Sequence, residues 1–288
     1  AYMLSGDLAT LLTGRYIELP MLPLSLKEYC EATSLQPDAA FAEYQKNGGL
    51  PYIAMMEKTP EKVDTYLEGI YNTIIIKDIE DRQRRKERDP NKRKITDIAL
   101  LKTIARYLAG VVGNPISIKS VADYLTSNGR KVSQNTVSDY MGALAESFIF
   151  YPAERFDVFG KQVLKTNQKW YMVDLGLRNH ILPRSSYDLG FSLENIIYFE
   201  LLRRDYKVNI GKVGNTEVDF VAQKQGVFTY YQVPADMSAP DTFEREMKPL
   251  RAIRDNYEKV VLTLDRYTLG NYDGIQVIHA IDWLLGDE

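Results

Sequence analysis

Apolar residues recur at helical spacing through the first half of the chain and gather into short strand-like runs in the second. That change of period limits the fold to helices followed by an α/β unit. After Pro60, the residues Val63, Tyr66, Leu67, Ile70 and Ile74 line one face of a helix, while Pro20, Pro23 and the turn Asn47-Gly48-Gly49-Leu50-Pro51 interrupt the pattern. Residues 1–95 therefore read as a helical layer. Three further helices follow. The first carries Ile98, Leu101, Ile104, Ala105 and Leu108, and ends at Gly113-Asn114-Pro115. The second starts behind the N-cap Ser117 with Ile118, Val121, Ala122 and Leu125. The third, from Ser133, turns Val137, Tyr140, Met141, Leu144, Ala145 and Phe148 inward. An extended segment, Phe148–Tyr151, then pairs with Trp170–Val173 across a long excursion. This is the order of a winged helix-turn-helix, assigned to residues 96–175.

Beyond it, a helix from Ser192 to Arg204 leads into strands around Val208–Val213, Glu217–Ala222 and Val227–Val233. Asp241-Thr242-Phe243-Glu244 has the form of a capping box opening a helix, and the strands Lys259–Leu264 and Ile275–Ile278 follow. The order is αβββαβ, assigned to residues 176–288. The expected fold class is thus α/β and multidomain.

Charge sets limits on partners. Lys and Arg number 36 against 39 Asp and Glu, a net −3, so there is no whole-molecule basic field and any polyanion site must be a local patch. One local patch is Arg82 to Lys94, with eight basic and two acidic residues around Pro90. It reads as a solvated linker or as a phosphate-contacting stretch through Arg84, Arg85 and Lys86. Arg130 and Lys131 precede the third helix, whose polar face opens with Gln134 and Asn135, amides that can pair with adenine edges. Asp139 and Glu146 on the same helix oppose a phosphate backbone, so DNA and protein both stay open as partners. Cys30, His180 and His279 have no zinc-site spacing, and Cys30 has no internal disulfide partner. With no apolar run near the ~18 residues of a membrane span, the expectation is a soluble, cytoplasmic protein with no membrane partner.

The αβββαβ unit carries the candidate chemistry. Glu194 on the helix, Asp219 on the second strand and Gln232 on the third stand where restriction-endonuclease-like nucleases place two acids and an (Asp/Glu)-x-Lys. In such nucleases the carboxylates hold Mg²⁺ and the Lys orients water. Here the third motif reads Gln232-Val233-Pro234, which lacks a carboxylate and the ammonium. Glu194 and Asp219 are left as a weak Mg²⁺ pair in a degenerate site. A lysine from elsewhere could restore the missing charge, and Lys224 and Lys248 are the nearest in sequence.

Seven blocks in order resemble a known family: Leu4-Ser5-Gly6, Leu12-Thr13-Gly14-Arg15-Tyr16, Pro23 to Tyr29, Gly48 to Tyr52, Tyr71 to Ile75 with Lys77-Asp78-Ile79, Val173 to Asn179, and Glu217 to Phe220. Together they resemble the downstream half of bacterial and archaeal AAA-type ATPases that carry a helical region, a winged helix and a restriction-endonuclease-like C-terminal domain of unknown function. The resemblance implies a missing upstream ATPase core that binds ATP and Mg²⁺, and neither is bound by this chain alone, which has no Gly-Lys-Ser or Gly-Lys-Thr. The non-Met start in mid-element fits that expectation. It also implies an arginine-finger candidate, Arg15, against the plainer reading of a surface Arg paired with Asp7 or Glu18. The expected function is a regulatory, partner-binding C-terminal portion. The alternatives are an active metal-dependent nuclease and a free-standing winged-helix transcription regulator.

Overall fold

The computed structural model describes residues 19–74, 79, 95, 97–182 and 189–286. The first helices are α1 (Leu26–Thr33), α2 (Pro37–Asn47), α3 (Pro51–Met55) and α4 (Pro60–Asn72). Each begins where the sequence supplies a start. Ser25 and Glu28 form a reciprocal capping box on α1. A proline in the first turn of α2, α3 and α4 removes a donor that would have no helical partner. Tyr29, Phe41, Ile53, Leu67 and Tyr71 face the core.

Next come α5 (Ile98–Gly110), the short β1 (Pro115–Ile116), α6 (Ile118–Ser127) and α7 (Gln134–Glu146). Leu101, Ile104, Leu108, Val121, Leu125, Val137 and Leu144 are buried as the helical spacing requires. Phe148 is not. Its left-handed backbone (φ 58) swings it off the helix face, and it stays 42% exposed.

The hairpin β2 (Phe150–Asp157) and β3 (Gln162–Met172) joins the two expected segments, with Phe150 opposite Met172 and Tyr151 opposite Tyr171. The expected excursion is corrected: pairing resumes with Arg155 opposite Leu164 and runs to Asp157 opposite Gln162. The turn is closed by Asp157 Oδ1, which accepts the N–H groups of Phe159 and Gly160 at 3.1 and 3.0 Å. These strand residues are mostly half-buried or exposed, so they lack the apolar signature of a core strand.

The remaining elements are α8 (Leu175–Ile181), α9 (Leu189–Arg203), β4 (Lys207–Val213), β5 (Thr216–Lys224), β6 (Val227–Gln232), α10 (Pro240–Ala252), β7 (Glu258–Thr263), β8 (Gly270–Tyr272), β9 (Ile275–His279) and α11 (Ala280–Leu285). The capping box expected at Asp241–Glu244 is not made. Helix α10 starts at Pro240 behind Ala239 without a side-chain cap, and the Glu244 carboxylate bonds Arg251 at 2.6 Å. Strand β8 and helix α11 were not part of the sequence expectation.

Among the described residues the strands form one mixed nine-stranded sheet in the order β1-β3-β2-β4-β5-β6-β7-β9-β8. The pairs β2–β4, β6–β7 and β7–β9 are parallel and the others antiparallel. The chain is therefore mixed α/β, and its sheet runs across position 175 without a break. Helix α9, nearly apolar all round, is buried on one face of the sheet, where Leu193, Ile197 and Leu201 join the larger core cluster. Helix α10 covers the other face through Met247 and Leu250. No helix among the described residues is long and apolar enough to cross a membrane.

Candidate functional site

The polar centre of the molecule lies between α9 and the sheet. Strand β5 carries Val218 and Val221 to the α10 face although they are three residues apart, while Phe220 and Ala222 join the opposite core. The pairing with β4 explains this: Asn209 is opposite Val221 but Gly211 is opposite Val218, so β5 holds one extra residue. The bulge re-aims Asp219, a common device at functional sites. A second irregularity lies in β3. Between Lys169, opposite Ala153, and Leu164, opposite Arg155, the strand carries extra residues that include left-handed Asn167.

Lys169 follows that irregularity and is the residue on which the site turns. Its side chain is 5% exposed, with Nζ 2.8 Å from Glu217 Oε1, 3.1 Å from Glu194 Oε1 and 3.8 Å from Asp219 Oδ1. Burial alone would push the ammonium toward losing its proton, but Glu194, Asp219 and Glu217 together outweigh burial and hold it above its ordinary range. Tyr171, two residues along the strand, donates to Glu194 Oε1 at 2.6 Å. Its hydroxyl is held protonated well above its usual range by burial and then by Glu194. Burial, and then Glu194, push Asp219 up to about 7, against the opposing pull of Lys169 and the Val233 N–H.

The expected trio is brought together. Asp219 Oδ2 accepts the Val233 N–H at 2.8 Å, Gln232 Oε1 accepts the Asp219 N–H at 3.3 Å, and Gln232 Nε2 donates to Glu246 Oε2 at 2.7 Å. Asn195 on α9 ties helix to hairpin, accepting the Met172 N–H at 2.9 Å and donating to its carbonyl at 2.8 Å. Gly113 packs closely against the Glu194 carboxylate. A Cβ there would lie 3.2 Å from Glu194 Oε2.

These residues do not fit a divalent ion. Mg²⁺ requires oxygens at about 2.0–2.1 Å in octahedral array. Glu194, Glu217 and Asp219 instead turn oxygens toward an ammonium, and the Gln232 oxygen faces a backbone N–H. Among the described residues no group of three or more His, Cys, Asp or Glu is arranged to hold a metal.

The lysine expectations are corrected. Lys224 lies over the Tyr206 ring, 5.3 Å from its centroid, and Lys248 is exposed on α10, so neither supplies the ammonium. Lys169, Tyr171, Asn195, Glu217 and Glu246 were missed. A signal for Lys169 existed: it shares a strand face with Tyr171, which the apolar run Trp170-Tyr171-Met172-Val173 marks as buried.

The nucleic-acid candidates separate. Lys131, Gln134 and Asn135 are exposed at the start of α7. Arg130 instead pairs with Asp97, the N-cap of α5. Arg15, Arg84, Arg85 and Lys86 lie outside the described residues.

A second polar centre joins the N-terminal helices to α8. Asp174 is the α8 N-cap: Oδ1 accepts the Leu177 N–H at 3.0 Å and Oδ2 the Gly49 N–H at 2.7 Å. Arg178 Nε donates to Ala109 O at 3.0 Å, and Asn179 Nδ2 to the carbonyls of Gln45 and Lys46 at 2.9 Å. One short helix therefore ties down the ends of α2 and α5.

Residues 38–188 match a family model described as Domain of unknown function (DUF8612), and the chain belongs to that family. The match spans α2 through the hairpin and α8 and includes Lys169 and Asp174, but it stops before Glu194. An uncharacterized protein of Haemophilus influenzae is 38% identical over 290 residues, covering 99% of this chain and 69% of that protein. Uncharacterized protein MJ1544 of Methanocaldococcus jannaschii is 27% identical over 296 residues, 96% of this chain and 63% of that protein. The chain thus spans about two thirds of the length of these relatives.

Proposed function

We propose that the chain is the regulatory, partner-binding C-terminal portion of an AAA-type ATP-binding protein, presenting DNA or a partner protein through a winged helix and a nuclease-like unit that has lost its reaction. The observation that carries this reading is the internal bonding of the third motif, in which Asp219 holds the Val233 N–H and Gln232 is fixed between Asp219 and Glu246. Groups that would act on a phosphodiester are tied to one another instead. The helix order α5-α6-α7 before a long hairpin supports the winged helix, and α9-β4-β5-β6-α10-β7 supports the restriction-endonuclease-like unit. The greater length of the relatives leaves room for an ATPase core that would bind ATP and Mg²⁺.

One observation favours a second reading, an active nuclease. Lys169 brings an ammonium to 3.8 Å from Asp219, the charge that Pro234 fails to supply. Plasmid cleavage with Mn²⁺ separates the two. The partner-binding reading expects no cutting by the wild-type chain, and cutting that disappears in Asp219→Asn would establish the nuclease. For DNA as the partner, Lys131→Glu should reduce the salt slope of binding by roughly one to two units. Salt-insensitive or absent DNA binding would leave protein as the partner.

A further inference from the structure

Restriction-endonuclease-like folds place a divalent ion at the acids corresponding to Glu194 and Asp219, and the side chains of this chain disagree with such an ion. We propose that Lys169 is the resident cation of the site. Its ammonium takes the place and part of the charge of a divalent metal, and the carboxylates of Glu194, Glu217 and Asp219 serve as its counter-ions rather than as metal ligands.

Three features support this. The ammonium has three protons and meets three carboxylates, from α9 and β5, at 2.8, 3.1 and 3.8 Å. It comes from β3, outside the αβββαβ unit, and arrives through a strand irregularity that aims it at the acids. Further acceptors in the site already have protein partners. Glu194 Oε1 also takes the Tyr171 hydroxyl, Asp219 Oδ2 takes the Val233 N–H, and Gln232 Oε1 takes the Asp219 N–H. A second positive charge within these distances would meet direct repulsion from the ammonium, with little water to screen it.

The inference rests on the nuclease-like reading of this unit, but its test reads ion occupancy and not cleavage, so the two can fail separately. Mn²⁺ binding is followed by electron paramagnetic resonance in the wild-type chain, Asp219→Asn, Lys169→Met, and the double variant. The wild type should bind no more Mn²⁺ than Asp219→Asn at about 1 mM, the range of weak carboxylate sites. Lys169→Met should gain one Mn²⁺ that the double variant loses. A wild-type Mn²⁺ site lost in Asp219→Asn overturns the proposal, as does a folded Lys169→Met that gains none. If Lys169→Met does not fold, ¹⁵N spectra of the wild-type lysine ammonium groups decide. The Lys169 signal should be slow to exchange and unbroadened by Mn²⁺, and selective broadening overturns the proposal.

Discussion

Lys169 on β3 and Glu217 on β5 meet at 2.8 Å although β2 and β4 lie between their strands in the sheet. The contact, with Glu194 on α9 beside it, joins the hairpin to the C-terminal strands through one buried charge. Removing only the charge leaves carboxylates without their counter-ion in a poorly solvated site. Lys169→Met, which keeps most of the side-chain length, should lower stability by about 3–5 kcal/mol in urea denaturation. Glu217→Gln, at the more exposed margin, should cost less than about 1 kcal/mol. Equal effects from the two would mean that Lys169 acts through packing rather than charge.

Close backbone approach fixes α8 against α2. A Cβ on Gly176 would lie 2.1 Å from Asn47 O, a backbone atom with no rotamer by which to retreat. Gly176→Ala should therefore reach or exceed the ~3 kcal/mol upper range of ordinary overpacking. Gly69, inside α4, has nothing within 4 Å of its Cβ position. There alanine should stabilise by roughly 0.5–1 kcal/mol through helix propensity. Thermal unfolding of the pair checks both signs.

How much of this was legible in the sequence depends on the range over which a signal acts. The helices α5, α6 and α7 and strands β4 to β7 follow from local periodicity, because each buries one face or a short apolar run. The outer half of the β2–β3 hairpin is only half-buried and therefore silent. Glu194, Asp219 and Gln232 converge as their positions on a helix and neighbouring strands require. Lys169 was not legible as their partner because the contact depends on bulges in β3 and β5 and on the way a helix and a strand twenty-five to fifty residues further along assemble around it. The block Val173–Asn179 carried a resemblance, but its physical reason is tertiary: Asp174, Arg178 and Asn179 satisfy backbone groups of distant segments.

Asn195 tests whether α9 and the hairpin are held by specific bonds or by apolar contact alone. It pairs with both the N–H and the carbonyl of Met172, all buried. Asn195→Ala should leave two backbone groups without partners, each worth about 1–3 kcal/mol. Amide hydrogen exchange should rise at Met172 well before it rises in β6. Unchanged protection at Met172 would assign the junction to packing.

The last prediction concerns Asp174, whose carboxylate is buried against N–H groups of the Gly49 turn and its own helix. Burial pushes its pKa up to about 6, with the N–H groups of Leu177, Gly49, Gly176 and Leu50 pulling the other way. The folded-state value lies above the ~3.9 of an unfolded Asp, so the folded chain binds this proton more tightly. Its contribution is fully present below about pH 4 and is lost as pH rises through about 6. Asp174→Asn does not titrate. Between pH 7 and pH 4 the wild-type chain should therefore gain roughly 2 kcal/mol relative to Asp174→Asn, whatever the other carboxylates contribute to both. Urea midpoints of the two chains measured across that range give the difference directly. A constant gap would mean that the N–H donors around Asp174 offset its burial and leave its pKa at the unfolded value.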